Sequence, residues 1–114
     1  MSQVKVEQEI GGSILSLKGQ FIGGTETDEL KDTLLSLTES QVKHLIIDLN
    51  NVTYLNSTAL GVLISSHANF VKRDGKIVLC NVSKSIENIF VITKLTLVFT
   101  IASNIEEARK LLNK

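Results

Sequence analysis

The run Leu45-Ile46-Ile47-Asp48-Leu49-Asn50-Asn51-Val52-Thr53-Tyr54-Leu55-Asn56-Ser57-Thr58-Ala59-Leu60-Gly61-Val62-Leu63 passes directly from a strand pattern to a helix pattern. From His44 to Leu49 the residues are nearly all apolar over a strand's length, the mark of a strand covered on both faces in a parallel sheet. Asn50-Asn51 is a turn signal. Asn56-Ser57-Thr58 supplies short polar side chains of the kind that begin a helix. Leu60, Leu63, Ile64, Ala68 and Val71 then form a stripe at helical spacing. The stripe predicts a helix to about Arg73, ended by Asp74-Gly75.

Upstream, residues 4 to 10 alternate, with Val4, Val6 and Ile10 on one side and Lys5, Glu7 and Glu9 on the other. Gly11-Gly12 suits a tight hairpin, and Ser13 to Leu17 reads as the return strand. Gly19 to Gly24 reads as a loop in which Phe21 and Ile22 look exposed. Packing inward and contact with a partner are equally open for these two. Thr25 and Asp28 resemble a capping box, followed by a helix with Leu30, Leu34 and Leu37 inward and Thr33 and Leu35 beside them. Downstream come a strand at Ile77 to Cys80, a helix from Ser83 to Thr93 and a strand from Leu97 to Ala102. Ser103 and Glu106 form a second capping box, opening a last helix that turns Ala108, Leu111 and Leu112 inward. The order β-β-α-β-α-β-α-β-α predicts a single α/β domain over residues 1–114. Its sheet should be mixed and mainly parallel, with an antiparallel N-terminal edge strand and four helices.

The chain has 114 residues, and 12 basic side chains balance 12 acidic ones. Neutral charge and 4% aromatics argue against a nucleic-acid partner, which needs a cationic surface or stacking platforms. Cys80 is the single cysteine, so no internal disulfide or thiol cluster forms, and its apolar neighbours mark it as an inert core residue. Met1 to Glu9 shows no signal peptide, and no apolar run approaches the roughly 18 residues of a membrane span. The expected setting is the cytoplasm, without membrane insertion. His44 reads as a solvated strand end and His67 as a partly buried helix residue. No metal-ligand spacing, nucleophile elbow or phosphate loop is present, so no catalytic residue, metal or cofactor is expected.

Ser57 is the residue with the most chemical interest. A helix N-terminus carries unpaired N–H groups and about half a positive charge, which favours a phosphate. Ala59 and Gly61 are small enough for a partner backbone to approach. An ordinary helix cap and a phosphoacceptor both fit these residues.

The stretch from Leu45 to Leu63 resembles the core of STAS domains, and more narrowly of bacterial anti-sigma-factor antagonists. Their pattern is an apolar strand ending in Asp-Leu, a short turn, then Asp-Ser-Ser-Gly-Leu-Gly. The likeness continues through Asp74-Gly75-Lys76, the strand to Val82 and the helix at Ile86 to Thr93. It implies a partner switch. The unphosphorylated protein binds a serine-kinase anti-sigma factor, the kinase phosphorylates Ser57, and a serine phosphatase reverses this. Thr58 takes the place of the second hydroxyl and is the secondary acceptor. The resemblance places partner binding at Phe21, Ile22, Gly23, Gly24, Asn56, Ser57, Thr58, Ala59 and Leu60. Asn56 stands where the pattern has Asp, and Ala59 where it has Gly. Phe21-Ile22-Gly23-Gly24 lacks an acid that relatives often carry near the partner surface. The alternative is an unphosphorylated STAS interaction module in a larger signalling or lipid-transport assembly.

Overall fold

The computed structural model describes residues 3–40 and 42–113; Met1 and Ser2 of the polar amino terminus lie outside them. Strands β1 (Val4–Glu9) and β2 (Gly12–Phe21) form the hairpin expected from Gly11-Gly12, with Gly11 at φ +85°. Helix α1 (Thr25–Glu39) leads to β3 (His44–Leu55), α2 (Ser57–Lys72), β4 (Lys76–Cys80) and α3 (Lys84–Ile92). A 3₁₀ turn (Leu95–Leu97), β5 (Thr100–Ala102) and α4 (Ile105–Leu112) complete the fold. The sheet runs β1-β2-β3-β4-β5, antiparallel in its first pair and parallel in the rest.

Sequential strand order with one handedness of crossover places α1, α2 and α3 on the same face. There Leu15, Leu45, Ile47 and Leu79 meet Leu30, Leu34, Leu63, Phe70, Ile86 and Phe90. The last helix returns on the other face, where Ala108 and Leu112 cover Ile14, Ile46, Val78 and Cys80. The central strands are therefore covered on both sides, as their unbroken apolar runs require.

Several local expectations change. Gly19 to Phe21 belongs to β2 and not to a loop: Phe21 pairs with Leu55 and is fully buried. Asn50-Asn51 does not turn the chain. The register steps from Ser16↔Asp48 to Lys18↔Asn51, so the pair forms an irregularity inside a long β3, held where Asp48 Oδ1 accepts the Asn50 N–H at 2.9 Å. In α2 the buried face is Ala59, Leu60, Leu63, Ser66 and Phe70, while Ile64, Ala68 and Val71 are exposed. Phe70, seven residues on from Leu63, lies on the same face and is fully buried. Leu35 is likewise exposed.

Capping differs too. Thr25 does not cap α1; Gly24 holds that place without a side-chain bond. The cap of α4 is Asn104, one residue beyond Ser103, and its Oδ1 accepts the Glu107 N–H at 2.8 Å. Asp74 takes the left-handed conformation after α2, at φ 60°. Gly75 is required for a different reason: a Cβ there would lie 2.9 Å from the Lys43 and Phe70 carbonyl oxygens. Leu97 is exposed in the 3₁₀ turn, so the last strand begins only at Thr100.

Candidate functional site

Strands β2, β3, β4 and β5 run in parallel, and each is followed within a few residues by a helix. All four helix N-termini consequently lie at the carboxyl end of the sheet. Between β3 and α2 there is one residue, Asn56, in extended backbone at φ −91° and ψ −179°. Its N–H donates to the Phe21 carbonyl at 3.0 Å, which joins it to the end of β2. Its Oδ1 accepts the Ala59 N–H at 3.0 Å, and its carbonyl accepts the Leu60 N–H at 3.0 Å. This is a side-chain N-cap on the third helical position.

The cap fixes what the following residues can do. Ser57 and Thr58, the first two residues of α2, are exposed. Ala59 and Leu60 turn under the helix and are buried. Of the proposed contact residues, Phe21, Ala59 and Leu60 therefore shape the surface from below, while Ile22, Gly23, Gly24, Ser57 and Thr58 are exposed and Asn56 is half-buried.

The loop from β2 to α1 lies directly against this helix start. Gly23 has φ +88°, and a Cβ there would stand 3.5 Å from Asn56 Nδ2 and 3.7 Å from Thr58 Oγ1. The loop is held by Glu26 and Thr27, neither of which the helix-start pattern singles out. Glu26 Oε2 accepts the Ile22 N–H at 2.9 Å, the Gly24 N–H at 3.0 Å and the Thr27 hydroxyl at 2.6 Å. Thr27 Oγ1 accepts the Gly23 N–H at 2.9 Å. The Thr27 hydroxyl, then the Ile22 N–H, hold the Glu26 carboxyl down at about 2. The available signal was an acid two residues after Gly23-Gly24 at a helix start, where free N–H groups converge.

Two neighbouring helix starts thus differ in charge. Glu26 and Asp28 occupy the first turn of α1, whereas the first turn of α2 contains no acid. The α2 start exposes a hydroxyl at Ser57 and a helix dipole with no carboxylate in its first turn.

The other sequence candidates lie in packing. His67 is half-buried with its ring edge against Phe99, centroids 5.3 Å apart. His44 is half-buried at the start of β3. Burial, then the charge of Asp48, pushes the Cys80 thiol up to about 12. Among the described residues no group of three or more His, Cys, Asp or Glu side chains could hold a metal ion. No described helix is long and apolar enough to cross a membrane.

The STAS domain family matches residues 2–108. The chain belongs to the STAS domain family. Solved STAS-like structures superpose on nearly all of it. A Thermotoga maritima protein described as a candidate anti-sigma factor antagonist has a TM-score of 0.90 at 16% identity, covering 97% of this chain and 95% of that one. An anti-sigma factor antagonist from Mycobacterium paratuberculosis has a TM-score of 0.87 at 21% identity, over 97% and 93% of the two chains. The Bacillus cell fate determinant SpoIIAA in its phosphorylated form has a TM-score of 0.74 at 14% identity, over 95% and 98%. At these identities the likeness is one of fold.

Proposed function

We propose that this STAS domain is an anti-sigma-factor antagonist that works by partner switching, with Ser57 as the phosphoacceptor. The carrying observation is the exposed Ser57 hydroxyl at the first position of a capped, acid-free helix start. Resemblance of the Leu45–Leu63 stretch to antagonist motifs supports the role, as does the fold shared with antagonists of that description. In its unphosphorylated form the protein binds a serine-kinase anti-sigma factor through Ile22, Gly23, Gly24, Asn56, Ser57 and Thr58.

The chemistry is a phosphoryl transfer from ATP to Ser57 Oγ. The partner supplies the catalytic groups, and a separate phosphatase hydrolyses the ester. Phosphorylation adds about −1.5 to −2 charges at neutral pH. Within the isolated domain that charge meets the positive end of α2, a favourable interaction of about 0.3–1 kcal/mol. In the complex the same charge would have to be desolvated against a surface fitted to a neutral hydroxyl. The fold therefore tolerates the modification, and the complex does not.

Incubation with a cognate serine-kinase anti-sigma factor and ATP, followed by intact-mass analysis, tests this. One added phosphate, absent in Ser57→Ala, is expected. Modification at Thr58 alone, or none with any such kinase, would remove Ser57 from this role and favour an unphosphorylated interaction module.

A further inference from the structure

The zero net charge conceals a strongly polar molecule. All four helices run in the same direction across the sheet, from its carboxyl end to its amino end. Acids cluster in their first turns: Glu26 and Asp28 in α1, Glu87 in α3, Glu106 and Glu107 in α4. At the amino end of the strands, opposite Ser57, the sequence instead places Lys43, Lys72, Arg73, Lys76, Lys94 and Lys110. Only Glu39 and Asp74 among the acids accompany them, beyond Glu9, which is engaged by Arg109 at 2.9 Å. None of the ion pairs found among the described residues includes any of those six cations. Lys43 Nζ and Lys76 Nζ donate to backbone carbonyls, Arg73 O and Leu111 O, which leaves their charge uncompensated. The helix C-termini carry about half a negative charge each, which reduces the basic excess without cancelling it.

The same end bears the large apolar side chains that stand furthest into solvent. Ile10 is fully exposed in the β1–β2 turn, Ile92 is 80% exposed at the end of α3, and Leu97 is 84% exposed in the 3₁₀ turn. Ile10 lies toward the β1 edge of the sheet; Ile92 and Leu97 lie toward the β5 edge. The molecule is about 25 Å across. Tips at both edges of the sheet suit a broad surface better than a groove-filling peptide. Basic side chains interleaved with isolated apolar tips are the pattern of interfacial binding, with charge drawn to anionic headgroups and apolar groups entering the acyl boundary.

We propose that the amino end of the sheet is a peripheral docking face for an anionic lipid surface. This face is independent of the Ser57 switch, and it would hold the domain with its phosphoacceptor end pointing away from the bilayer. Such contact is reversible, because a few tips and a modest basic excess fall far short of an anchored chain.

Vesicle sedimentation of the full chain tests the proposal. Binding is expected to phosphatidylglycerol–phosphatidylcholine vesicles and not to phosphatidylcholine alone, and it should weaken with salt. Each basic charge neutralised, for example in Lys94→Gln or Lys43→Gln, should weaken binding about fivefold. The double variant Ile92→Ser, Leu97→Ser should lose binding with an unchanged thermal melt, since both side chains are exposed. Ser57→Ala should bind vesicles normally, which separates this proposal from the switching role. Absence of binding to the anionic vesicles at low salt would overturn it, as would binding that survives the variants. Self-association abolished by the same variants, without vesicle binding, would assign the face to the acidic end of a second copy and overturn the lipid assignment.

Discussion

Replacing Asn56 tests the physics of the helix start. Asn56 Oδ1 holds the Ala59 N–H at 3.0 Å, and its amide nitrogen faces the Gly23 backbone. Asn56→Ala removes the cap and leaves a donor without its partner, at a cost of about 0.5–2 kcal/mol. Asn56→Asp keeps the acceptor and adds the carboxylate that the first turn of α2 lacks. That charge meets the helix dipole and should stabilise the domain by about 0.3–1 kcal/mol. Together the two variants should differ by about 1–3 kcal/mol, well within the reach of urea unfolding. The sign of the pH dependence is fixed. A carboxylate held by a helix N-terminus has its folded pKa below the ordinary ~3.9, so its contribution is present above that value and lost as the pH falls further. The advantage of Asn56→Asp should therefore vanish in acid, while the deficit of Asn56→Ala should persist. Kinase assays on the same proteins would report whether the added carboxylate speeds transfer to Ser57. If Asn56→Asp unfolds at lower urea than the parent at neutral pH, or if Asn56→Ala unfolds at the same urea, the account of this helix start is wrong.

Three further outcomes are expected. Glu26→Gln should flatten the acid limb of the stability curve: the folded pKa of Glu26, about 2, lies below the ordinary 4.5, so its contribution is full above about pH 4.5 and lost as the pH falls towards 2. Chemical unfolding of both proteins across that window checks this, and parallel curves would contradict it. Phe21→Ala should cost about 3–5 kcal/mol because its side chain is fully buried, whereas Ile22→Ser should change stability by less than about 0.5 kcal/mol and weaken kinase binding by calorimetry. Gly75→Ala should destabilise by about 1–3 kcal/mol, because the new methyl would meet two carbonyl oxygens at 2.9 Å; an unchanged melting temperature would contradict it.

The element order and parallel pairing were legible because they follow from periodicity. His44 to Leu49 can only be covered on both faces, and the strand–helix alternation then dictates crossovers. The helix start at Asn56 was legible because capping is local chemistry. Phe21 was not, because its burial depends on pairing with Leu55 on a strand far along the chain. Asn50-Asn51 misled for the same reason: a turn signal was overridden by β2 on one side, with Asp48 accepting the freed N–H. Ile64 and Val71 fit a helical stripe as well as Phe70 does, and only packing against the sheet decides between them. Glu26 escaped because its role is a loop brace across non-adjacent N–H groups, which no capping template describes.

The arrangement of charge gives a reason for the place of the proposed switch. At the carboxyl end of the sheet, α1, α3 and α4 already carry acids in their first turns, so a phosphate there would meet like charge. The first turn of α2 has none. A dianion at Ser57 is therefore least costly to the fold at that position. Within an acidic end, it remains most costly to any partner that approaches closely and excludes water. A modification that acts on an interface must leave the domain intact and spoil the contact, and this helix start separates the two effects. Asn56 strengthens the separation: its neutral amide occupies the Ala59 N–H but adds no formal charge, so most of the helix field remains to meet the phosphate. The carboxylate of Asn56→Asp would use that field in the unmodified state, so the variant should gain less stability from phosphorylation at Ser57 than the parent does. Thermal melts of both proteins before and after the kinase reaction read this directly, and an equal gain in the two would show that the helix field plays no part in accommodating the phosphate.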